Sequence, residues 1–394
     1  MASISSQSKS CVVAGHICLD VIPTLLGSGD FASTFLPGRL LEAGPVLTAT
    51  GGAVSNTGQT LHKLGIDTRL MGKIGNDIFG RATLAAIKAQ SEHLAEGMRL
   101  AQDEAGSYTV ILSPPRTDRI FLHCPGPNDT FGAADVNYEL LRQVDLFHFG
   151  YPPLMKRLYQ NDGAELIELF KRAKATGVTT SLDLAMPDPN ASSGQADWPA
   201  ILAATLPLVD LFVPSLEEVL LMLYRETFDR IETGQARIDA PLLSRVADDL
   251  LAMGSKVVLL KAGERGLYLR TAADVSELGR ARPTDITRWA NREFWVPIFE
   301  TEVAGTTGAG DSAVAGFLAA LLRDLAPTQA VTIAAAVGAC NVEAADATSG
   351  IRSWSETLAR IEAGWPRRQL QIDTPGWRFD ETRRLWLGPN DTTG

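Results

Sequence analysis

An aspartate directly follows a glycine-rich loop in the last third of the chain. Residues Gly305 to Asp311 read Gly-Thr-Thr-Gly-Ala-Gly-Asp, and a run rich in alanine and leucine follows at 312–322. Such a loop would present backbone N–H groups at a helix N-terminus, where the helix dipole attracts an anion such as phosphate. Because Asp311 would repel phosphate, its position makes sense if it accepts the proton of a hydroxyl that attacks the phosphorus. The alternative is a glycine-rich turn in which Asp311 caps the helix.

The elements around this loop predict how it is positioned. From residue 145 the chain alternates short apolar strands with helices, a pattern typical of a parallel sheet with helices on both faces. Ligands bind such sheets beyond the carboxyl ends of the strands. Three residues lie just past predicted strand ends and are candidates by position: Asp183, Ser215 and Gly263.

Composition limits the class of protein. The 394 residues are 45% hydrophobic and 21% charged, which is ordinary for a globular protein with a sizeable core. The net charge of -10 argues against a nucleic-acid partner. No apolar run reaches the length of a membrane span, and residues 1–10 lack the apolar core of a secretory signal. The four cysteines show no Cys-x-x-Cys spacing, so we expect a cytoplasmic protein with reduced thiols.

Three common motifs are missing from the sequence. It contains no Gly-x-x-x-x-Gly-Lys-Ser/Thr, so phosphate binding must use a device other than a P-loop. No Gly-x-Gly-x-x-Gly follows a predicted strand, and no Gly-x-Ser-x-Gly elbow is present. A dinucleotide fold and an α/β-hydrolase site are therefore unsupported.

Two signatures at opposite ends of the chain resemble those of the PfkB/ribokinase family of carbohydrate and nucleoside kinases. One is Gly308-Ala309-Gly310-Asp311 before the alanine-rich helix. The other is Gly51-Gly52-Ala53-Val54-Ser55-Asn56, followed by Lys-Leu-Gly at 63–65 and Gly-Lys-Ile-Gly-Asn-Asp at 72–77. Residues 261–266 also resemble the strand and turn on the nucleotide side of that family. The resemblance covers roughly residues 11–351.

The resemblance implies an α/β fold, a ribokinase-like three-layer sandwich with a mostly parallel central sheet and a small β lid. Residues 1–10 would be a flexible N-terminus and 11–364 the kinase domain. The lid would come from about 27–48 and 106–124, with a hairpin signal at Pro114-Pro115. Residues 365–394 would form an appended tail, packed over the surface as a turn or hairpin.

The resemblance also assigns catalytic roles. Asp311 would be the general base that activates a substrate hydroxyl. The backbone of Gly308, Ala309, Gly310 and Asp311 would form the anion hole for the γ-phosphoryl group of ATP.

Substrate contacts are expected on the lid side. Asp20 aligns with an acid that hydrogen-bonds sugar hydroxyls in the family, and Gly51, Gly52 and Asn56 align with further contacts. The alternatives are an exposed acid at a strand end for Asp20 and a helix-face amide for Asn56. Three polar residues near the inner end of the lid are added on position, against the alternative of solvated hairpin side chains: Arg119, His123 and Asn128.

Nucleotide contacts are expected at Lys261, Gly263, Gly266 and Thr306, and at Asn341 on a late helix, whose alternative is a polar residue inside that helix. The family's Asn-x-x-Glu motif, which organises Mg²⁺ and phosphate, reads Ser215-Leu216-Glu217-Glu218 here. Glu218 would then bind Mg²⁺ through water, and Ser215 would lie near the nucleotide.

One departure concerns a monovalent cation. The family usually carries aspartate at the position of Gly305, where it shapes a nearby cation site. Activation by K⁺ is therefore in doubt, whereas ATP and Mg²⁺ are expected as cofactors.

The predicted function is ATP-dependent phosphoryl transfer to a hydroxyl of a sugar or sugar-like polyol. The alternatives are a nucleoside kinase of the same family and a catalytically silent member that acts as a binding or regulatory protein. The expected partners are a small sugar and ATP, with no nucleic acid, no membrane and a possible homodimer through the lid. Which sugar is bound depends on pocket shape, which the sequence does not reveal.

Overall fold

A central sheet of ten strands forms the framework of the protein. The structure is a computed structural model that describes residues 9–26, 35–113 and 120–392. The described residues form sixteen strands, which belong to this sheet and to two smaller ones. They are β1 (Ser10–Gly15), β2 (Cys18–Leu25), β3 (Ala43–Gly51), β4 (Asp67–Met71), β5 (Lys73–Gly75), β6 (Arg99–Ala101), β7 (Tyr108–Leu112), β8 (Ile120–Cys124), β9 (Leu146–Gly150), β10 (Thr179–Asp183), β11 (Leu211–Phe212), β12 (Val257–Lys261), β13 (Leu267–Thr271), β14 (Glu293–Val296), β15 (Arg378–Asp380) and β16 (Leu385–Leu387).

Helices connect most of these strands. They are α1 (Ala53–Lys63), α2 (Ile78–Gln90), α3 (Tyr138–Leu141), α4 (Lys156–Tyr159), α5 (Ala164–Lys174), α6 (Trp198–Thr205), α7 (Leu216–Leu223), α8 (Arg225–Glu232), α9 (Ala240–Ala252), α10 (Ala309–Leu322), α11 (Pro327–Asn341) and α12 (Trp354–Glu362). None of the helices in the described part of the chain is long and apolar enough to cross a membrane.

The central sheet has the order β15-β16-β14-β13-β12-β11-β10-β9-β1-β4. The six strands from β4 to β12 pair in parallel, and the four at the other edge pair antiparallel. Every residue of β1, β9 and β10 is buried, as expected for parallel strands that are covered on both faces. The predicted α/β fold with a mostly parallel sheet is therefore confirmed.

The two faces of the sheet carry separate cores, which makes the fold a three-layer sandwich. Successive side chains of β1 point to opposite faces, so Val13 packs into one core and Val12 into the other. The first core contains the apolar residues of α10 and α11. The second core contains the apolar residues of α5, α6 and α9. Helix α10 is buried from Asp311 to its end at Leu322, as its run of alanine and leucine requires.

A separate sheet of four strands, which we call the lid, has the order β3-β2-β7-β8. Strand β2 pairs antiparallel with β3 and parallel with β7. The predicted lid left β2 out and paired the hairpin directly with the segment 27–48. In the structure β2 lies between them, since Leu19, Asp20 and Val21 pair with β3 on one side and with β7 on the other. Residues 27–34 and 114–119, including the Pro114-Pro115 hairpin signal, lie outside the described residues.

The C-terminal tail, residues 365–392, extends the central sheet. Strands β15 and β16 form the hairpin that was predicted for this region, but β16 pairs antiparallel with β14 instead of merely covering the surface. Leu385 and Leu387 are buried against the sheet. Earlier in the tail, the Arg368 N–H donates to the Ile298 carbonyl at 2.9 Å. The tail is thus part of the main sheet and of the wall next to it.

Candidate active site

The glycine-rich loop ends where helix α10 begins. Gly308 adopts a left-handed conformation with φ of 73° and directly precedes the helix. A Cβ atom there would lie 2.8 Å from that of Ala347, so both backbone angle and space require glycine. The first turn of a helix leaves its N–H groups without intrahelical partners. Ala309, Gly310 and Asp311 occupy that turn, and the Ala309 N–H donates to the Thr306 carbonyl at 3.3 Å. Asp311 is buried, with 4% of its surface exposed.

Asp311 is held by three side chains from distant parts of the chain. Asn56 Nδ2 donates to Oδ2 at 2.9 Å, and Thr57 Oγ1 donates to Oδ1 at 3.3 Å. The Tyr151 hydroxyl lies 2.8 Å from both carboxylate oxygens. The two sequence signatures therefore meet in the fold. The Asn56 amide nitrogen is bound to Asp311, and its Oδ1 is buried without a hydrogen-bond partner in the described part of the chain. Its contact with substrate stays a prediction.

Tyr151 is a site residue that the sequence analysis missed. It follows β9 in a left-handed conformation, with φ of 70° and ψ of 40°. Burial, reinforced by the Asp311 charge, raises the pKa of Tyr151 well above its ordinary value, so the phenol stays protonated and donates. The rule that singled out Asp183, a polar residue just past a strand end, would also have found Tyr151.

Lys261 and Asp183 form a buried ion pair beside the loop. Lys261 Nζ lies 2.6 and 2.7 Å from the two carboxylate oxygens of Asp183. Burial raises the pKa of Asp183 even though the ammonium opposes this shift. Burial alone would lower the pKa of Lys261, but the carboxylate raises it above its ordinary value. The Lys261 stem lies along Gly310, where a Cβ would be 3.4 Å from its Cδ.

A cavity of about 680 Å³ opens next to this pair. Six predicted residues line it: Lys261, Gly263, Gly266, Thr306, Ala309 and Gly310. Its apolar wall comes from residues that the sequence analysis did not single out, including Ile298, Phe299, Val303, Ala339 and Val342. A large cavity of this kind, lined mainly by apolar residues with a few polar groups, suits a nucleotide.

Asn341 does not line this cavity. It is fully buried, and its Nδ2 donates to the Ala347 carbonyl at 2.6 Å. Ala347 is the residue that packs against Gly308. The side chain thus fixes the segment beneath the loop, and its contact with the adenine stays a prediction.

On the lid side, Gly51 and Gly52 allow close approach of two polar side chains. A Cβ on Gly51 would come within 2.5 Å of Asp20 Oδ2, and one on Gly52 would come within 2.6 Å of His16 Nδ1. Burial raises the pKa of Asp20 to about 6. The His16 ring lies 6.3 Å from the Tyr151 ring, between centroids. Contacts therefore run from Asp20 through the glycines and His16 to Tyr151 and the catalytic loop.

The three residues predicted near the lid differ in where they lie. His123 faces the cluster, with its Nε2 3.2 Å from that of His16 and its Nδ1 3.0 Å from Thr109 Oγ1. Burial lowers the pKa of both histidines, that of His16 to about 3, so the pair is neutral. Asn128 is fully buried and bonds only backbone atoms in the described part of the chain, those of Ile17 and Pro125. Arg119 lies outside the described residues.

Comparison with known proteins decides the family. The model of the pfkB family carbohydrate kinases matches residues 8–354. The chain belongs to the pfkB family of carbohydrate kinases. It is therefore an enzyme that transfers a phosphoryl group from ATP.

Individual relatives agree with this family. The chain is 27% identical over 263 residues to an uncharacterized sugar kinase of Archaeoglobus fulgidus, covering 67% of this chain and 86% of that protein. It is 23% identical over 327 residues to fructokinase-2 of Oryza sativa subsp. japonica, covering 82% and 83%.

Solved structures share the fold. Arabidopsis thaliana ribokinase complexed with ribose and ATP superposes with a TM-score of 0.67 at 19% identity, covering 90% of this chain and 98% of that one. An E. coli protein assigned as ribokinase II, in complex with ATP and Mg²⁺, gives 0.65 at 20% identity, covering 90% and 99%. These likenesses show the ribokinase fold.

The carboxylates of this pfkB kinase suit a hydrated Mg²⁺. Glu218 accepts the Ser215 N–H at 2.9 Å, and its own N–H donates to Ser215 Oγ at 3.3 Å, so the two residues cap α7. Burial raises the pKa of Glu218, and the charge of Asp311 acts in the same direction. Lys261 forms an ion pair with Asp183, and the charges of Glu218 and Asp311 act on the same ammonium from a greater distance. The local negative charge fits a cation bound through water, as Mg²⁺ prefers.

Gly305 is tightly packed at the start of the loop. A Cβ on Gly305 would lie 2.9 Å from the Ala345 carbonyl oxygen and 3.0 Å from that of Ala344. An aspartate at this position would need these backbone segments to move. The backbone around Gly305 therefore fits glycine, and the doubt about a monovalent cation stays a prediction.

Proposed function

We propose that this enzyme transfers the γ-phosphoryl group of ATP to a hydroxyl of a sugar or sugar-like polyol, with Asp311 as general base. The observation that carries the proposal is the position of Asp311. It lies in the first turn of α10, between the cavity lined by Ala309 and Gly310 and the polar cluster under the lid.

The reaction would proceed in line across this turn. The substrate hydroxyl gives its proton to a carboxylate oxygen of Asp311 while its oxygen bonds to the γ-phosphorus, and the bond from that phosphorus to the β-phosphate oxygen breaks to release ADP. The N–H groups of Ala309, Gly310 and Asp311 would receive the charge on the phosphoryl oxygens, for which Ala309 would exchange its hydrogen bond to the Thr306 carbonyl. Mg²⁺ held through water near Glu218 would neutralise part of the negative charge of the phosphates.

The remaining groups orient the substrates. Asn56, Thr57 and Tyr151 would hold the Asp311 carboxylate in place, and their three donated hydrogens leave it one further lone pair to accept the proton of the substrate hydroxyl. Asp20, ionised above a pKa of about 6, would accept hydrogen bonds from other hydroxyls of the sugar. Lys261, Gly263, Gly266 and Thr306 would contact the nucleotide from the cavity wall.

A screen for ADP release in a coupled assay tests this function. Fructose and ribose come first, because the rice relative is a fructokinase and the Arabidopsis neighbour is a ribokinase bound to ribose. Other sugars, polyols and nucleosides follow. Asp311→Asn should stay folded and bind nucleotide but lose turnover by at least ~10²-fold. The matched control is Asp373→Asn, an exposed acid of the tail. Full turnover in Asp311→Asn would overturn the role of the base, and ADP release with nucleosides alone would overturn the substrate class.

We also infer a homodimer through the lid. Val46, Leu47 and Leu122 of the lid strands are each 56% exposed, which is a large apolar surface for a small sheet. Light scattering should give the mass of two chains, and Leu47→Asp should give that of one. A single-chain mass for the unmodified protein would contradict this.

We also propose that the enzyme is cytoplasmic and has no nucleic-acid partner. The four cysteines form no disulfide, and the net charge of -10 disfavours nucleic acid. Both support a cytoplasmic enzyme of small molecules, which cell fractionation would check.

A further inference from the structure

A second cavity lies beside the nucleotide cavity and shares Phe299 with it. It has a volume of about 250 Å³ and lies between the first turns of α11 and the tail. Three of its lining residues are arginines and none is acidic; the arginines are Arg367, Arg383 and Arg384. Three threonines, at 328, 332 and 382, add hydroxyl groups. The cavity is therefore strongly cationic and rich in hydrogen-bond donors.

The arginines differ in how their charge is balanced. Arg383 donates to the Asp380 carboxylate at 2.5 Å. Arg367 and Arg384 form no ion pair with any carboxylate of the residues that the structure describes. Arg367 instead donates to the Arg384 carbonyl at 2.7 Å, and Arg384 donates to the Trp365 carbonyl at 3.3 Å. Two positive side chains thus share one cavity without a negative charge between them.

Arg367 is the more buried of these two arginines. Its Nε is buried and has no hydrogen-bond partner among the residues that the structure describes. Burial, together with the charge of Arg384, lowers the pKa of Arg367 to about 10, so the group is still positive at neutral pH. A desolvated charge without a counter-ion is unfavourable. An anion bound in the cavity would remove this cost.

We propose that this cavity is a binding site for a phosphate group, distinct from the nucleotide cavity. A planar guanidinium offers paired donors that match the oxygens of phosphate, and two of them can hold one tetrahedral anion. The N-terminus of the 15-residue helix α11 adds positive potential at Thr328 and Gln329, which line the cavity. At about 250 Å³ against about 680 Å³, the cavity is too small for a whole nucleotide.

The phosphate group can come from two sources. It is either free inorganic phosphate or the phosphate of a small ester such as a hexose monophosphate. Both present the same tetrahedral dianion to the arginines. They differ in whether the remaining part of the cavity, next to Phe299, Ile361 and Trp365, is also filled.

Titration calorimetry with inorganic phosphate tests the site. The enzyme is first saturated with a non-hydrolysable ATP analogue, because phosphate also suits the loop at 308–311. We expect one phosphate per chain and at least ~10-fold weaker binding in Arg384→Gln, which corresponds to the loss of one charge-assisted contact. Arg378→Gln is the matched control, since Arg378 is exposed on the same hairpin and outside the cavity. A parallel titration with a hexose monophosphate separates the sources, since tighter binding of the ester identifies it as the ligand and equal binding identifies the free group.

The proposal fails if millimolar phosphate and the ester both give no binding heat, or if Arg384→Gln binds as tightly as the unmodified protein. If Arg384→Gln does not fold, Arg383→Gln takes its place, because Arg383 is exposed and its loss disturbs only the pair with Asp380. Phosphate affinity in Arg383→Gln should fall about threefold or more, and an unchanged value would equally overturn the site.

Discussion

The hydroxyl of Tyr151 lies 2.8 Å from both carboxylate oxygens of Asp311. The two residues are 160 positions apart, and the contact joins the end of β9 to the first turn of α10. A protonated phenol can only stabilise a carboxylate by donating to it. Tyr151 therefore positions the proposed base without itself accepting a proton.

Removal of this hydroxyl should lower turnover more than substrate affinity. A hydrogen bond to a charged group contributes roughly 1.5–3 kcal/mol, so we expect Tyr151→Phe to lower kcat by about 10-fold or more with little change in the KM for ATP. The control is Tyr159→Phe, whose hydroxyl bonds Ser192 away from the site. Steady-state kinetics on both variants would check this, and an unchanged kcat in Tyr151→Phe would remove the positioning role.

Removing only one partner of the buried pair of Lys261 and Asp183 should lower the stability of the protein. Lys261→Met leaves the buried Asp183 carboxylate without its counter-charge, and we expect the free energy of unfolding to fall by about 3 kcal/mol. Adding Asp183→Asn should recover most of that loss, because the remaining group is neutral. Urea unfolding of the single and double variants measures the difference. Equal stability of the single and double variants would mean that the unpaired Asp183 charge is not the cause of the loss.

Asp20 should make stability depend on pH. Its folded pKa of about 6 lies above the ordinary value of 3.8, so folding favours the protonated form. The stability it contributes is complete below about 3.8 and is lost as the pH rises through about 6. Asp20→Asn cannot ionise, and we therefore expect it to raise the melting temperature at pH 8 more than at pH 4.

Asp77 provides a control of opposite sign. Burial would raise its pKa, but hydrogen bonds from the N–H groups of Gly80 and Gly106 lower it below the ordinary value. Asp77→Asn should therefore destabilise the protein at pH 8. The argument would be wrong for Asp20 if both variants moved the melting temperature in the same direction.

Asn128 should affect stability and not substrate binding. Its amide accepts the Ile17 N–H at 3.0 Å and donates to the carbonyls of Ile17 and Pro125 at 2.9 and 2.8 Å. In Asn128→Ala these buried backbone groups lose their partners, and we expect about 2–3 kcal/mol lower unfolding free energy with an unchanged KM for the sugar. Denaturant unfolding and steady-state kinetics check the two halves. A raised KM without loss of stability would restore Asn128 as a substrate contact.

The sequence predicted best those parts of the site that depend on local backbone. Gly308 needs a left-handed angle, and Gly51 and Gly52 need space for Asp20 and His16, so each glycine leaves a readable signal in the chain. The alternation of strands and helices after residue 145 similarly predicted the parallel sheet, because burial on both faces demands apolar runs.

Other parts of the site could not be predicted, because their contacts join residues that are far apart in the sequence. Asn128 was assigned to the substrate because it is polar and near the lid, but its bonding partner Ile17 lies 111 positions away. Asn341 was placed beside the nucleotide, although its helix turns that side chain toward Ala347. Neither Tyr151 nor His16 stands in a recognisable motif, and only the fold brings them to Asp311 and His123.

The pairing of β16 with β14 bears on how the protein can be shortened. The family match ends at residue 354, which invites removal of the tail. A chain cut at residue 364 would expose the backbone N–H and C=O groups of β14 along an open, apolar edge. Open edges of this kind recruit strands from other molecules. A chain cut at residue 364 should therefore aggregate, and its insolubility should appear before any defect in catalysis can be measured.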